Sequence, residues 1–264
     1  MSARDAVVGA LLAAAIALVA LRARALTRGG ALAAFAVGTI TYSAGTWTFT
    51  AVLLAFFLPS VLLSRLGRAR KRALVDVGKQ GPRDAAQVLA NGGVATLCAL
   101  FYGLTHQPRW ALAFVGAYAV ATADTWATEI GTLARARPRS ILTFRALEPG
   151  LSGGVTATGT LAAFAGALWL GLAADLSQPS DQAWIGLAVV FALAVIGFIG
   201  ALVDSVLGAT LQELRRCPAC ERTCEIDPHV CGTPTIRVRG LRWMSNDLVN
   251  GLATATGALL AFWV

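Results

Sequence analysis

Eight runs of apolar residues, separated by short polar stretches, organise this chain. They cover about Ala6–Leu21, Gly30–Ala44, Trp47–Leu63, Ala85–Thr105, Trp110–Ala134, Leu151–Ala174, Ala183–Leu211 and Asp247–Val264. An α-helix needs ~17–25 mostly apolar residues to cross a bilayer. The second and third runs are shorter and meet at a tight Ser43–Thr46 turn, which predicts a helical hairpin. The pattern specifies an all-α, polytopic integral membrane bundle of about eight transmembrane helices. With no linker, low-complexity tract or clear internal repeat, residues 1–264 read as a single transmembrane domain. Residues 215–242 differ in character: they form a polar, cysteine-rich knuckle inserted between the last two helices.

Composition sharpens this reading. The chain is 56% hydrophobic and 14% charged, against roughly a quarter charged in a soluble domain. The first run is followed by Arg22, Arg24 and Arg28 and has no basic stretch before it, so it reads as a retained helix rather than a cleaved signal.

Charge then sets orientation. Of 22 Lys and Arg, all but Arg4 and Arg109 fall in four alternate loops: Arg22 to Arg28, Arg65 to Arg83, Arg135 to Arg145 and Arg215 to Arg242. The positive-inside rule puts these loops in the cytoplasm and both termini outside, in a plasma membrane of bacterial or archaeal type. The net charge of +8 is therefore mainly an orientation signal. Nucleic-acid binding is excluded as a leading reading, because no soluble basic domain exists to carry it.

Against this background the apolar runs hold few acidic groups: Asp124, Glu129, Asp204 and Asp247. A carboxylate in lipid costs several kcal/mol unless it faces protein, water or a metal. The orientation places all four toward the cytoplasmic side, on the fifth, seventh and eighth helices. Each alone suits a structural pair or a cap, and Asp247 suits an N-cap well. Together they predict a Mg²⁺ site, since that ion takes oxygen ligands and shares them with phosphates. The amides Asn91, Asn246 and Asn250 sit at the same depth. Arg83, Gln87 and Asn91, at i, i+4, i+8, line one face of the fourth helix, with Lys79 just before it and Gly81-Pro82 at its start. The segment EPGLSGGVTATG is expected to open the sixth helix. Ser152 would cap it, and Gly153 and Gly154 would let backbone approach an anion.

The knuckle predicts a second metal. Cys217-Pro-Ala-Cys220 has zinc spacing, and Cys231-Gly-Thr-Pro resembles the second half of a zinc ribbon. Structural Zn²⁺ held by Cys217, Cys220, His229 and Cys231 is the leading assignment, with Cys224 as the alternative to His229. Reduced thiols without metal are the bland reading. Cys98 lies within a helix and reads as packing.

Arg83 with QVLANGG, ADTWATEIG, EPGLSGGVTATG, the knuckle with HVCGTPT, and RWMSNDLVN together resemble one family over nearly the whole chain. It is the polytopic membrane family that includes the plant plastid phytyl-phosphate kinase and the vertebrate transmembrane protein 19. Asp124 to Gly154 is also distantly similar to the pattern of dolichol kinases and CDP-diacylglycerol synthases, CTP-using lipid enzymes with magnesium. Thr143 and Gly150 match that pattern loosely, and its lysine is absent.

The first resemblance implies an enzyme that transfers a phosphoryl group from a nucleoside triphosphate, with CTP a candidate, to an isoprenyl monophosphate such as phytyl, geranylgeranyl or farnesyl phosphate. Asp124, Glu129, Asp204 and Asp247 would then hold Mg²⁺ against the donor phosphates. Asn91, Asn246 and Asn250 would orient the ligands, and Lys79, Arg83 and Arg145 would neutralise phosphate charge. The rival readings are a CTP-dependent cytidylyltransferase making a CDP-linked lipid, and a secondary transporter of an anionic solute.

Overall fold

Seven helical elements carry the chain: α1 (Ala3–Arg22), α2 (Arg28–Arg65), α3 (Ala85–Thr105), α4 (Pro108–Leu133), α5 (Ala157–Leu176), α6 (Leu187–Thr210) and α7 (Asn246–Ala261). The computed structural model describes residues 1–67, 81–134, 136–179 and 185–264.

α2 is the hairpin expected at Ser43–Thr46. Its 38 residues are broken at Thr46, whose backbone sits at φ +48°, ψ −133°. The two arms run back alongside each other. At one end Thr27 N–H donates to Arg83 O and the Arg65 guanidinium donates to Ala23 O. At the turn, Thr48 Oγ1 donates to Ser177 O, and Ala44 approaches Gly103. Midway, Val37 of the first arm and Phe56 of the second both lie beside Tyr118 or its neighbour Gly92. The eight helical runs are thus all present, with two of them in α2.

Among the described residues, α1, α2, α3, α5 and α6 are long and apolar enough to cross a membrane. Their outer faces are apolar: Val7, Leu11, Val19, Leu161 and Leu187 are each 60% exposed or more. Lipid, not water, suits such a surface.

α4 is the axis of the bundle. Nearly every residue from Ala111 to Ala123 on it is buried. In lipid there is no hydrophobic gain in pressing apolar helices together, so close van der Waals packing of small residues has to hold them. A Cβ on Gly116 would lie 2.6 Å from Gly257 O of α7, and one on Gly197 of α6 would lie 2.6 Å from Ala167 Cβ. α3, α5, α6 and α7 all pack on α4, with Phe49, Phe56, Phe114 and Tyr118 forming an aromatic centre.

The termini share one end of the bundle. Met1 lies against Gly103, and Arg109 stacks over Trp263. The opposite end carries the connections with short strands. β1 (Arg139–Ser140) pairs antiparallel with β2 (Gly154–Val155). β3 (Leu214–Arg216), β4 (Thr223–Cys224) and β5 (Ile236–Arg239) form an antiparallel sheet in the order β4-β3-β5, which is the cysteine-rich knuckle.

Two expected helix starts are corrected. The sixth run begins its helix at Ala157, not Leu151, and Thr156 caps it by accepting from Gly159 N–H. Residues 151–155 are instead drawn into the turn leading to β2, where Gly150 and Gly153 take positive φ. At the last helix Ser245, not Asp247, is the cap, accepting from Leu248 N–H, which leaves Asp247 in the first turn.

Candidate active site and metal centre

A cavity of about 1030 Å³ lies at the end of the bundle opposite the termini. It is walled by the last turns of α4 and α6 and the first turns of α3, α5 and α7. All four singled-out carboxylates line it. Asp124 and Glu129 come from α4, Asp204 from α6 and Asp247 from α7. They meet because each sits within a few turns of the same end of its helix. Their charges act on one another: Glu129 on Asp124, and Asp124 on Asp204. Asp204 Oδ2 is buried and finds no hydrogen-bond partner among the described residues. Like charges crowded around an orphaned buried oxygen are relieved either by a proton or by a cation. The donor set is carboxylate oxygen with the amides Asn91, Asn246 and Asn250 on the same wall, a set that fits Mg²⁺.

Arg83 and Gln87 join Asn91 on this wall. Arg83 is pinned through its backbone, donating to Ala25 O and accepting from Thr27. Its guanidinium lies 6.0 Å from the Phe56 ring; burial pulls its pKa below the ordinary arginine value, against the opposing charge of Glu129. Gln87 is partly spent locally. Its Oε1 accepts from Asp84 N–H while Asp84 accepts from Gln87 N–H, a reciprocal cap that the sequence reading missed. Asn91 Nδ2 donates to Gln87 O. Arg145 is a correction: it is exposed and does not line the cavity, and its carbonyl accepts from Ser140 N–H within the β1 loop. Lys79 lies outside the described residues.

Ser152, Gly153 and Gly154 line the cavity, but not as a helix N-terminus. Gly153, at φ +82°, packs on α6, where a Cβ would fall 2.4 Å from Ala209 Cβ. Ser152 is held from the knuckle. Its N–H and hydroxyl donate to Glu225 at 2.8 and 3.0 Å, and Gln212 Nε2 donates to the same carboxylate at 2.6 Å. Glu225 and Gln212 also line the cavity. Sequence reasoning missed both, because a Glu in a polar loop carries no sign of burial.

The knuckle gathers Cys217, Cys220, His229 and Cys231, with ligand atoms all within 4.8 Å of one another. Cys217 and Cys231 sulfurs are 3.6 Å apart, and His229 Nδ1 is 3.1 Å from Cys231 Sγ. Tetrahedral Zn²⁺ with 2.3 Å bonds sets sulfurs about 3.8 Å apart. His229 Nε2 is buried without a partner among the described residues. Contacts with Thr233 and His229 pull the Cys231 thiol down to about 5, toward the thiolate that binds metal. Cys220, hydrogen-bonded to Cys231, goes up to about 11. Cys224 is buried with its sulfur toward Ile226 O at 3.7 Å and stands outside the cluster. The cluster could therefore hold a metal ion through His229. Arg215 of the central strand braces it, bonding Glu213 at 2.6 Å and Asp227 at 2.7 Å.

Three comparisons bear on this arrangement. A family model described as integral membrane protein DUF92 matches residues 11–258. Protein PGR of Arabidopsis thaliana is 35% identical over 251 residues, covering 86% of this chain and 84% of that protein. An uncharacterized membrane protein of Methanocaldococcus jannaschii is 32% identical over 208 residues, covering 78% and 82%. Protein VTE6, chloroplastic, of Arabidopsis thaliana is 24% identical over 243 residues, covering 89% of this chain and 64% of that protein. No solved structure matches.

Proposed function

The chain belongs to the DUF92 family of integral membrane proteins, and from that premise we propose that it is a Mg²⁺-dependent isoprenyl-monophosphate kinase. The observation that carries the reading is the meeting of Asp124, Glu129, Asp204 and Asp247, from three helices, in one cavity that also takes Arg83. Similarity to the family of the plastid phytyl-phosphate kinase, together with the chloroplast relative, supports the choice of substrate.

Phosphoryl transfer depends mainly on positioning and charge neutralisation. Donor nucleotide enters from the cytoplasm, toward which the basic loops face. Asp124, Glu129, Asp204 and Asp247 would hold Mg²⁺, which would neutralise phosphate charge there. Arg83 pairs with the phosphate of the lipid. Asn91, Asn246 and Asn250 orient phosphate oxygens, and the Ser152–Gly154 turn forms the facing wall. An oxygen of the acceptor monophosphate attacks the γ-phosphorus, and the bond to the β-phosphate oxygen breaks. The products are isoprenyl diphosphate and nucleoside diphosphate. The acceptor oxygen is already ionised at neutral pH, so the step needs no strong general base. The knuckle, in which Cys217, Cys220, His229 and Cys231 would hold Zn²⁺, would serve as a structural clasp.

The test is purified full-length protein with Mg²⁺, geranylgeranyl or phytyl monophosphate, and each of the four nucleoside triphosphates in turn. The expected products are the isoprenyl diphosphate and a nucleoside diphosphate. A nucleotide-linked lipid with released pyrophosphate would assign a cytidylyltransferase instead. Folded protein that forms neither product would overturn the enzyme reading.

A further inference from the structure

Arg83, just before α3, and Gln87 and Asn91 on it border two cavities. One is the polar chamber described above. The other is narrow, about 80 Å³, and lies among α1, both arms of α2, α3 and α4. Apart from those three side chains its walls are overwhelmingly apolar, with Ala13 and Ala17 of α1, Gly38 and Phe56 of α2, and Tyr118 of α4 among them.

Three features fix what it suits. First, the same three side chains border both spaces, so a molecule with a phosphate at Arg83 has an apolar space on the other side of that residue. Second, Leu12 and Ile16 also line it, and they are 41% and 37% exposed on the outer surface of α1, so the space reaches the lipid-facing side. Third, Tyr118 is fully buried and its hydroxyl finds no partner among the described residues. Buried hydroxyls are nearly always paired, and one left open on a residue that lines the same space as Arg83 and Asn91 suits an oxygen brought in by a ligand. Packed protein interiors rarely leave apolar space of this size unfilled.

We propose that this slot seats the isoprene unit nearest the phosphate of the lipid substrate, with the rest of the chain running out past Leu12 and Ile16 into the bilayer. The slot's polar end meets the headgroup and its apolar end meets the hydrocarbon, matching an amphipathic monophosphate end to end. The close approach of α1 to the first arm, where a Cβ on Gly38 would lie 3.0 Å from Ala13 Cβ, leaves no room for a larger residue there. The identity of the lipid rests on the kinase reading; the position of its chain does not.

The test is photolabelling of the purified full chain, without nucleotide, using geranylgeranyl monophosphate that carries a diazirine on its first isoprene unit. Adducts are expected on the Ala13–Ala17, Val37–Gly38 or Leu53–Phe57 stretches, and excess unlabelled geranylgeranyl monophosphate should compete them away. Gly38→Leu and the milder Ala34→Leu should each cut labelling at least tenfold. Competed adducts elsewhere, no competed adduct, or undiminished labelling of folded Ala34→Leu would each overturn the slot. Labelling needs no turnover. Protein that labels as expected but makes no diphosphate keeps the slot and loses the kinase; protein that turns over but labels elsewhere does the reverse.

Discussion

Glu225 of the knuckle accepts two hydrogen bonds from Ser152, 73 residues earlier in the chain, through the Ser152 N–H and hydroxyl. This contact joins the carboxylate-lined chamber to the Cys/His cluster loop. The glycine-bearing wall of the chamber takes its position from the cysteine-rich loop, through one half-buried carboxylate that Gln212 also holds.

Glu225→Gln should loosen that wall. It leaves one acceptor oxygen where two now take bonds from Ser152 and Gln212, so a bond worth about 0.5–1.5 kcal/mol is lost. Burial pushes the Glu225 carboxyl up, against the bonds from Ser152 and Gln212 that pull it down. A carboxyl raised by folding holds its proton more tightly in the folded state. Its contribution is therefore full below the unfolded value of about 4.3 and fades as pH rises through the folded value. Melting temperature should fall over that interval in the wild type, and the slope should flatten in Glu225→Gln.

Asp204→Asn should stabilise the metal-free protein. The substitution removes one of several crowded like charges and relieves the unpartnered Oδ2. A destabilised site of this kind is the usual counterpart of function. In chelator the variant should melt above the wild type. Mg²⁺ should raise the wild-type melting temperature and leave the variant unmoved.

Zinc measured by elemental analysis should stand at one per chain. Cys217→Ser and Cys231→Ser should abolish it, while Cys224→Ser keeps it, because Cys224 faces Ile226 O outside the cluster. Metal loss should also speed hydrogen exchange at residues 150–155, since the knuckle holds Ser152 through Glu225.

Much of this was legible in the sequence, and the failures have physical reasons. Long apolar runs define helices in lipid almost without ambiguity, because unpaired backbone cannot stay there. That is why even the reversal at Thr46 could be anticipated. The carboxylates were legible for the complementary reason, that charge in an apolar run is too costly to be casual. Helix starts were not. Ser152 and Thr156, or Ser245 and Asp247, are equally good caps by chemistry, and only the β1–β2 pairing and the turn at Met244 decide between them. Arg145 was misplaced because nearness in sequence to the glycine turn does not fix the side a side chain faces. Glu225 was invisible because its burial is created by a fold partner far away in sequence.

Thr46→Gly should stabilise the hairpin by about 1–2 kcal/mol, the cost of holding a β-branched residue at positive φ. Thermal unfolding in detergent measures this directly. Thr46→Val, which keeps the branched shape, should bring no such gain.

In the proposed site, carboxylates from three helices share one cation. Electron paramagnetic resonance of Mn²⁺, titrated into purified protein in place of Mg²⁺, tests it most directly. Wild type should bind Mn²⁺ at a site whose signal changes on adding nucleoside triphosphate, and Asp124→Asn and Asp204→Asn should each lose that site. Undiminished Mn²⁺ binding in both folded variants would contradict the account.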